Sequence, residues 1–165
     1  MLRQILEVID RFAPDAVLFG LDDRHASERA DFYPGYKAGR PPKDPLLLDQ
    51  LDRCGALLDA LGLATLTPPG LEADDVNASA AAWAGRHGWD CIIVTSDRDS
   101  FAHISDHTRV LRLINGGLDV SPVLTPHRLR LMYGVDAAHY LEFAALRGDA
   151  SDNLPGVSGI GEKGA

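Results

Sequence analysis

The feature of this sequence that most limits its possible folds is a short apolar run, Cys91-Ile92-Ile93-Val94. A continuous run rich in β-branched residues, with no polar residue at alternate positions, is typical of a strand buried on both faces. Such strands occur in parallel sheets that are covered by helices on each side. The run therefore predicts an interior strand, and Asp97 follows closely after its end.

Helix-like and strand-like segments alternate along the rest of the chain. Apolar residues at helical spacing, or compatible composition, predict helices near 2–12, 46–61, 72–87, 99–105, 126–133 and 137–147. Short apolar runs predict strands at 16–21, 63–67 and 110–114, with another short strand after the turn at 115–117. This alternation predicts an α/β fold with a mostly parallel central sheet flanked by helices. We expect one domain at 1–125 and a helical part at 126–165.

The bulk composition of the 165 residues is that of a soluble globular domain, with 45% hydrophobic residues and no apolar run long enough to span a bilayer. The first residues do not resemble a signal peptide. Cys54 and Cys91 lie 37 positions apart without the spacing of a redox or zinc motif, which is typical of reduced cysteines. We expect a cytoplasmic monomer without a membrane partner.

Residues 24–45 are polar and rich in glycine and proline, and they show no apolar period, so they predict a long loop or mobile arch. Within them, residues 24–43 form what we call the basic segment. Its cations are Arg24, Arg29, Lys37, Arg40 and Lys43. Against Glu28 and Asp31 they give a balance of +3, in a chain whose net charge is −8. The segment could be a solvated loop or could contact a phosphate backbone.

Seven carboxylates lie in three tight clusters, each at the edge of a predicted element. They are Glu72, Asp74 and Asp75, then Asp97 and Asp99, then Asp149 and Asp152. Oxygen ligands without nearby histidine or cysteine favour Mg²⁺ or Mn²⁺ over zinc. Asp22 follows another predicted strand, and ligands of open α/β sheets gather at such strand ends. The clusters predict a two-metal phosphodiesterase site, although any one of these acids could instead cap a helix or form a turn.

The motifs together resemble the 5′ nuclease family, which includes the N-terminal exonuclease domain of bacterial DNA polymerase I, phage 5′ exonucleases and flap endonucleases. The resemblance covers nearly the whole chain and keeps the family order. The matching motifs are Tyr36-Lys37-Ala38-Gly39-Arg40, Gly70-Leu71-Glu72-Ala73-Asp74-Asp75, Thr95-Ser96-Asp97-Arg98-Asp99, Gly148-Asp149-Ala150-Ser151-Asp152-Asn153 and Leu154-Pro155-Gly156-Val157-Ser158-Gly159-Ile160-Gly161-Glu162-Lys163.

The resemblance implies a PIN-like fold and assigns site residues. The implied metal ligands are Asp22, Glu72, Asp74, Asp75, Asp97, Asp99, Asp149 and Asp152. Asp22 is preferred to Asp23 because it lies fourteen residues before the motif tyrosine, Tyr36. Lys37 and Arg40 resemble arch residues that contact the scissile phosphate. The implied DNA-binding residues are Arg29, Tyr36, Lys37, Arg40, Gly159, Gly161 and Lys163, the last three in an element that binds duplex DNA through K⁺.

The implied activity is hydrolysis of DNA at 5′ ends or 5′ flaps with two Mg²⁺ or Mn²⁺ ions per site, and a DNA polymerase is an implied partner. Phe32, Tyr33 and Tyr36 could stack on an unpaired base or anchor the loop. Two alternatives stay open, a PIN-type RNase and a DNA-binding module without turnover. The family has a further first strand with a metal-binding Asp, which this sequence lacks, so we expect a chain of low stability and low activity.

Overall fold

The computed structural model describes residues 2–161 and 163–165, and Met1 and Glu162, the latter part of the glycine-rich motif, lie outside them. The described helices are α1 (Leu2–Phe12), α2 (Glu28–Phe32), α3 (Pro45–Ala60), α4 (Ala73–His87), α5 (Pro126–Tyr133) and α6 (Tyr140–Arg147). The strands are β1 (Leu18–Gly20), β2 (Ala64–Leu66), β3 (Cys91–Thr95), β4 (Thr108–Arg112), β5 (Val123–Leu124), β6 (Gly148–Asp149) and β7 (Leu154–Pro155). Short 3-10 helices cover Asp99–His103, Leu118–Val120, Ala137–His139 and Ala150–Asp152.

The predicted α/β class is confirmed, and most predicted elements lie within two residues of their expected positions. One helix was not predicted, because α2 lies within the basic segment, and the mobile arch at 24–45 stays a prediction. Ser27 caps this helix by accepting a hydrogen bond from the amide of Ala30 at 3.2 Å. Five residues are too few to show an apolar period, which is why the sequence did not reveal the helix. No described helix has the length and hydrophobicity to cross a membrane.

The described chain divides into two compact units of interleaved segments, 1–16 with 77–144 and 17–76 with 145–165. The domain division predicted at 125/126 stays a prediction. Strands β1 and β2 pair in parallel in one unit, whereas β3 and β4 pair in parallel in the other and β5 joins β4 antiparallel. Among the described residues β1 and β3 each pair on one side, so the strands form separate small sheets. The prediction that β3 is buried on both faces is wrong, because Ile93 is its only buried residue and Val94 is 39% exposed.

The core of the first unit lies around β3 and β4. Phe101, Val110, Leu124, Leu129 and Tyr140 are all fully buried there. The ring of Phe101 lies 5.4 Å from that of Tyr140 in a tilted arrangement that aromatic pairs favour. Burying these large side chains removes apolar surface from water and holds the carboxyl end of β3, which leads into Asp97.

In the second unit, β1 packs closely against the start of α4. A β-carbon added at Gly20 would lie 2.9 Å from both the Ala73 carbonyl oxygen and the Val76 β-carbon. Strand β6 pairs antiparallel with β7, and a β-carbon at Gly156 would lie 2.4 Å from the Arg147 carbonyl oxygen. Glycine is required at both places because the backbone approaches too closely for any side chain. These contacts fix the segments that carry the acidic residues of this unit.

Candidate functional site

Glu72 immediately precedes α4 and is the acceptor for two residues of the basic segment. The ammonium of Lys37 lies 2.8 and 2.9 Å from the two Glu72 carboxylate oxygens, and the Tyr36 hydroxyl donates to Oε2 at 2.9 Å. The side chain of Glu72 is only 14% exposed. A carboxylate this buried is costly unless its charge is balanced, and Lys37, together with Arg29 at 3.9 Å, provides that balance.

Burial and this ion pair shift the ionisation of both donors. Burial raises the pKa of Tyr36 to about 12, and its contact with Glu72 acts in the same direction. Burial alone would lower the pKa of Lys37, but its hydrogen bonds to Glu72 and Tyr36 outweigh that effect and raise it. Lys37 is therefore a cation and Tyr36 a neutral hydrogen-bond donor at neutral pH.

Asp75, three residues after Glu72, forms a bidentate ion pair with Arg29 of α2. The two guanidinium nitrogens donate to the two carboxylate oxygens at 2.7 and 2.8 Å. Asp75 also accepts from the amide of Glu72 at 2.9 Å, as the third helical residue does in a capping box. The hydrogen bond from Arg29 is the main reason why the pKa of Asp75 is lowered. Arg29 contacts an acid in this structure, and its predicted contact with DNA stays a prediction.

Two aspartates after β1 hold the loop before α4 and the start of that helix. Asp22 accepts from the amide of Ala73 at 2.9 Å. Asp23 accepts from the amides of Gly70 and His25, each at 2.8 Å. The bond from Gly70 is the main reason why the pKa of Asp23 is lowered. No sequence pattern predicts this role, because both donors are backbone groups.

The third acidic cluster lies in the same unit and also meets the basic segment. Asp152 is buried, accepts a hydrogen bond from the Arg40 guanidinium, and lies 3.9 Å from the Lys37 ammonium. The backbone amide of Lys37 donates to the Asp152 carbonyl at 2.9 Å. Asp149 accepts from the amide of Ser151 at 2.7 Å, which helps to lower the pKa of Asp149 against the opposing effect of burial.

The three aromatic residues of the basic segment have different environments. Tyr36 is bound to Glu72, and the Tyr33 hydroxyl donates to the Asn153 carbonyl at 3.3 Å. The side-chain amide of Asn153 in turn donates to the Gly35 carbonyl at 2.8 Å. Phe32, at the end of α2, is 93% exposed. Tyr33 and Tyr36 therefore anchor the segment, and the ring of Phe32 is open to solvent.

The remaining predicted acids are placed as follows. Asp97 and Asp99 are exposed residues of the other unit, after β3, where Asp97 accepts from the amide of Asp99 at 2.9 Å. Asp74 is half-buried in the first turn of α4. That these three belong to one metal site with Glu72 stays a prediction.

The glycine-rich tail forms tight turns. Gly159 adopts a φ of +82°, in the left-handed region that favours glycine, and the amide of Gly164 donates to the Gly161 carbonyl at 2.9 Å. Gly159, Gly161 and Lys163 are all exposed. Their predicted contact with DNA stays a prediction.

The donor chemistry of the second unit fits a hard divalent cation, because the buried acceptors Glu72 and Asp152 are both carboxylates. The positions of the acidic side chains, however, do not form such a site. Within residues 2–161 and 163–165, no three carboxylate, histidine or cysteine groups converge on one point that could hold a metal ion. The acids of this unit are arranged around lysine and arginine side chains instead.

Comparison with known proteins identifies relatives for the chain. The family described as "5′-3′ exonuclease, N-terminal resolvase-like domain" matches residues 1–134. The thermostable DNA polymerase I of Thermus aquaticus is 43% identical over 151 residues, or 92% of the chain, and DNA polymerase I of Mycobacterium bovis is 39% identical over 153 residues, or 93%. The chain spans 17% of the length of each of these two relatives.

Among solved structures, the T5 D15 protein co-crystallised with metal ions superimposes with a TM-score of 0.78 at 20% identity, covering 98% of the chain and 62% of that protein. The T5 5′-exonuclease with bound zinc ions gives a TM-score of 0.76 at 20% identity, with the same coverage. These two likenesses concern the fold. The sequence matches place the chain in the family of 5′-3′ exonuclease N-terminal resolvase-like domains.

Proposed function

We propose that this chain is the nuclease part of a 5′-3′ exonuclease or 5′-flap endonuclease, which hydrolyses DNA phosphodiester bonds with divalent metal ions. Its membership of the exonuclease family supports this proposal. The fold also resembles a T5 flap endonuclease solved in complex with DNA and metal ions, with a TM-score of 0.75. The protein would act on DNA with free 5′ ends or 5′ flaps, as a monomer, with a DNA polymerase as a covalent or separate partner.

One observation carries the proposal more than any other. The ammonium of Lys37 lies within 3 Å of Glu72, and the guanidinium of Arg40 hydrogen-bonds to Asp152. A nuclease needs carboxylates to hold metal ions, and it needs cations beside them to hold a phosphate. Here both kinds of group lie together in one compact unit, and all four residues belong to the motifs from which the site was predicted.

The residues would have the following roles. The carboxylates of Glu72 and Asp152, with other acids of the predicted set, would hold Mg²⁺ or Mn²⁺, two ions per site. Such ions, when bound, activate water and stabilise negative charge on the leaving oxygen. Lys37 and Arg40 would bind the oxygens of the scissile phosphate and offset the charge that builds on them. Gly159, Gly161 and Lys163 would bind the duplex backbone, with K⁺ as a further ligand of that turn.

The test compares Glu72→Gln with Glu142→Gln on a DNA substrate that carries a 5′ flap. Glu142 is an exposed residue of α6, so its variant controls for the loss of one negative charge. We expect cleavage in Mg²⁺ to fall at least about 100-fold in Glu72→Gln and to stay unchanged in Glu142→Gln. Comparing cleavage by Asp97→Asn with cleavage by Asp106→Asn tests whether Asp97, in the other unit, takes part in the reaction. Equal cleavage by wild type and Glu72→Gln would refute the site.

The same assay separates the alternatives. Faster cleavage of single-stranded RNA than of a DNA flap would favour a PIN-type RNase over the proposed nuclease. Flap binding that persists in EDTA, with no product when Mg²⁺ or Mn²⁺ is supplied, would indicate a binding module without turnover. Cleavage of the DNA flap that requires a divalent ion is the result expected from the proposal.

A further inference from the structure

The basic segment supplies the cations that neutralise two of the proposed metal-binding carboxylates. Both oxygens of Glu72 accept from Lys37, at 2.8 and 2.9 Å, and one also accepts from Tyr36. Asp152 accepts from Arg40, and the Lys37 ammonium lies 3.9 Å from its second oxygen. Lys37 thus lies between two carboxylates and contributes positive charge to both.

Burial makes this pairing significant. The side chains of Glu72 and Asp152 are 14% and 13% exposed, so water screens their charges poorly. Two partly buried carboxylates this close to one ammonium require a positive charge between them. Lys37 supplies this charge from a backbone held in place, since its amide donates to the Asp152 carbonyl.

A divalent cation needs direct contact with carboxylate oxygens, which on Glu72 both accept from Lys37. An ammonium and a divalent ion on the same oxygens would also repel each other, because the Glu72 side chain is only 14% exposed and water screens its surroundings poorly. The two cations therefore exclude one another at Glu72. The Arg29–Asp75 pair differs, because Asp75 also caps the backbone at Glu72 and has a structural role of its own.

We propose that Lys37 is an internal counter-ion of Glu72 and Asp152, and that a divalent metal ion must displace its ammonium in order to bind there. This inference rests on the proposed function, since it concerns the same carboxylates. It assigns Lys37 a second role. The residue that would bind the substrate phosphate is held on the acids until a metal ion takes over their neutralisation and releases it.

The experiment measures metal binding directly, by calorimetric titration of the 165-residue chain with Mn²⁺ and no DNA. Lys37→Met removes the counter-ion, and Lys43→Met is the matched control, because Lys43 is an exposed lysine of the same basic segment. We expect Lys37→Met to bind Mn²⁺ roughly tenfold more tightly than wild type, since a hydrogen-bonded competitor has been removed. Lys43→Met should change the affinity by less than about twofold.

Removing a proposed catalytic cation should thus strengthen metal binding, which a purely structural role of Lys37 would not do. Lys37→Arg, which keeps the charge, should bind Mn²⁺ no more tightly than wild type. Circular dichroism of each variant establishes that the fold is retained. An affinity in Lys37→Met that is unchanged, weaker, or no higher than in Lys43→Met would overturn the inference, and so would loss of the fold in both Lys37 variants.

A second measurement uses the release of the segment itself. Trypsin cleavage after Lys37 should become faster when Mn²⁺ is added to wild type, because the ammonium is no longer held by Glu72. Slower or unchanged cleavage would count against displacement. Failure of the two proposals is distinguishable. If the wild type cleaves the flap and Lys37→Met has an unchanged Mn²⁺ affinity, the counter-ion proposal alone is refuted. If Lys37→Met shows the predicted change in affinity but the wild type does not cleave the flap, the nuclease proposal alone is refuted.

Discussion

Replacing Arg29 by methionine would remove the cation that holds Asp75 while keeping most of the apolar length of the side chain. The pair has two hydrogen bonds, of 2.7 and 2.8 Å, between charged groups in a parallel geometry. Asp75 also accepts from the Glu72 amide, so the pair fixes the residue that precedes α4. We expect loss of Arg29 to destabilise the start of α4 as well as the ion pair.

The size of the effect follows from the exposure of the two groups. Hydrogen bonds to charged groups contribute about 1.5–3 kcal/mol when shielded, and exposed ion pairs about 0.2–1 kcal/mol. The side chains of Arg29 and Asp75 are 37% and 27% exposed, between these limits. We therefore expect a coupling free energy of about 1.5 kcal/mol at low salt, and a smaller one at high salt because ions screen the pair.

The assay is a double-mutant cycle with Arg29→Met, Asp75→Asn and the double variant, followed by urea denaturation. Asp75→Asn keeps an oxygen for the Glu72 amide and loses the charge. Asp75→Ala loses both, and should cost about 1 kcal/mol more, as loss of a helix cap does. A coupling free energy below about 0.3 kcal/mol, which is the scatter expected of independent sites, would refute this account of the pair.

Three further predictions concern other parts of the chain. Phe32→Ala should weaken binding of DNA with a single-stranded 5′ overhang by about 1–3 kcal/mol, measured by fluorescence anisotropy, because the exposed ring is free to stack on a base; an equal loss on blunt duplex would contradict this. Gly156→Ala should lower the free energy of unfolding by about 2 kcal/mol or more, because its β-carbon would lie 2.4 Å from a backbone oxygen. The control, Gly55→Ala in the open middle of α3, should instead raise it by about 0.5–1 kcal/mol. Burial lowers the pKa of His103 below its ordinary 6.5, so the unfolded chain binds the proton more readily, and stability should fall as pH drops from about 7 to 5. His103→Asn should reduce that slope in urea titrations, and an identical slope would count against it.

The sequence predicted the fold class and most elements because these depend on local patterns. The apolar run at 91–94 became β3, and the helical spacing at 72–87 became α4. Asp22 was placed correctly at the end of β1, since acids at strand ends are visible in the sequence. The short helix α2 was missed because its five residues are fixed by the Ser27 cap and by long-range contacts of Arg29.

The partners of the acidic residues could not be predicted from the sequence. Arg29 meets Asp75 across 46 positions, and Arg40 meets Asp152 across 112. Periodicity and propensity carry no information about such pairs, because these depend on how the loops pack. The motifs predict that cations and carboxylates share one site, in which each group faces a ligand. In the structure the two groups face one another.

This mutual pairing bears on how a chain of net charge −8 could bind a polyanion. The basic segment has a balance of only +3, and Lys37, Arg29 and Arg40 are all engaged by carboxylates. Cations that already neutralise acids attract phosphate weakly, since the field of each pair is short-ranged. In the proposed scheme, divalent ions take over neutralisation of Glu72 and Asp152, so that Lys37 and Arg40 become available to DNA. Affinity for DNA should then depend on divalent ions even before any bond is cleaved, because the ions determine the charge that the basic segment presents.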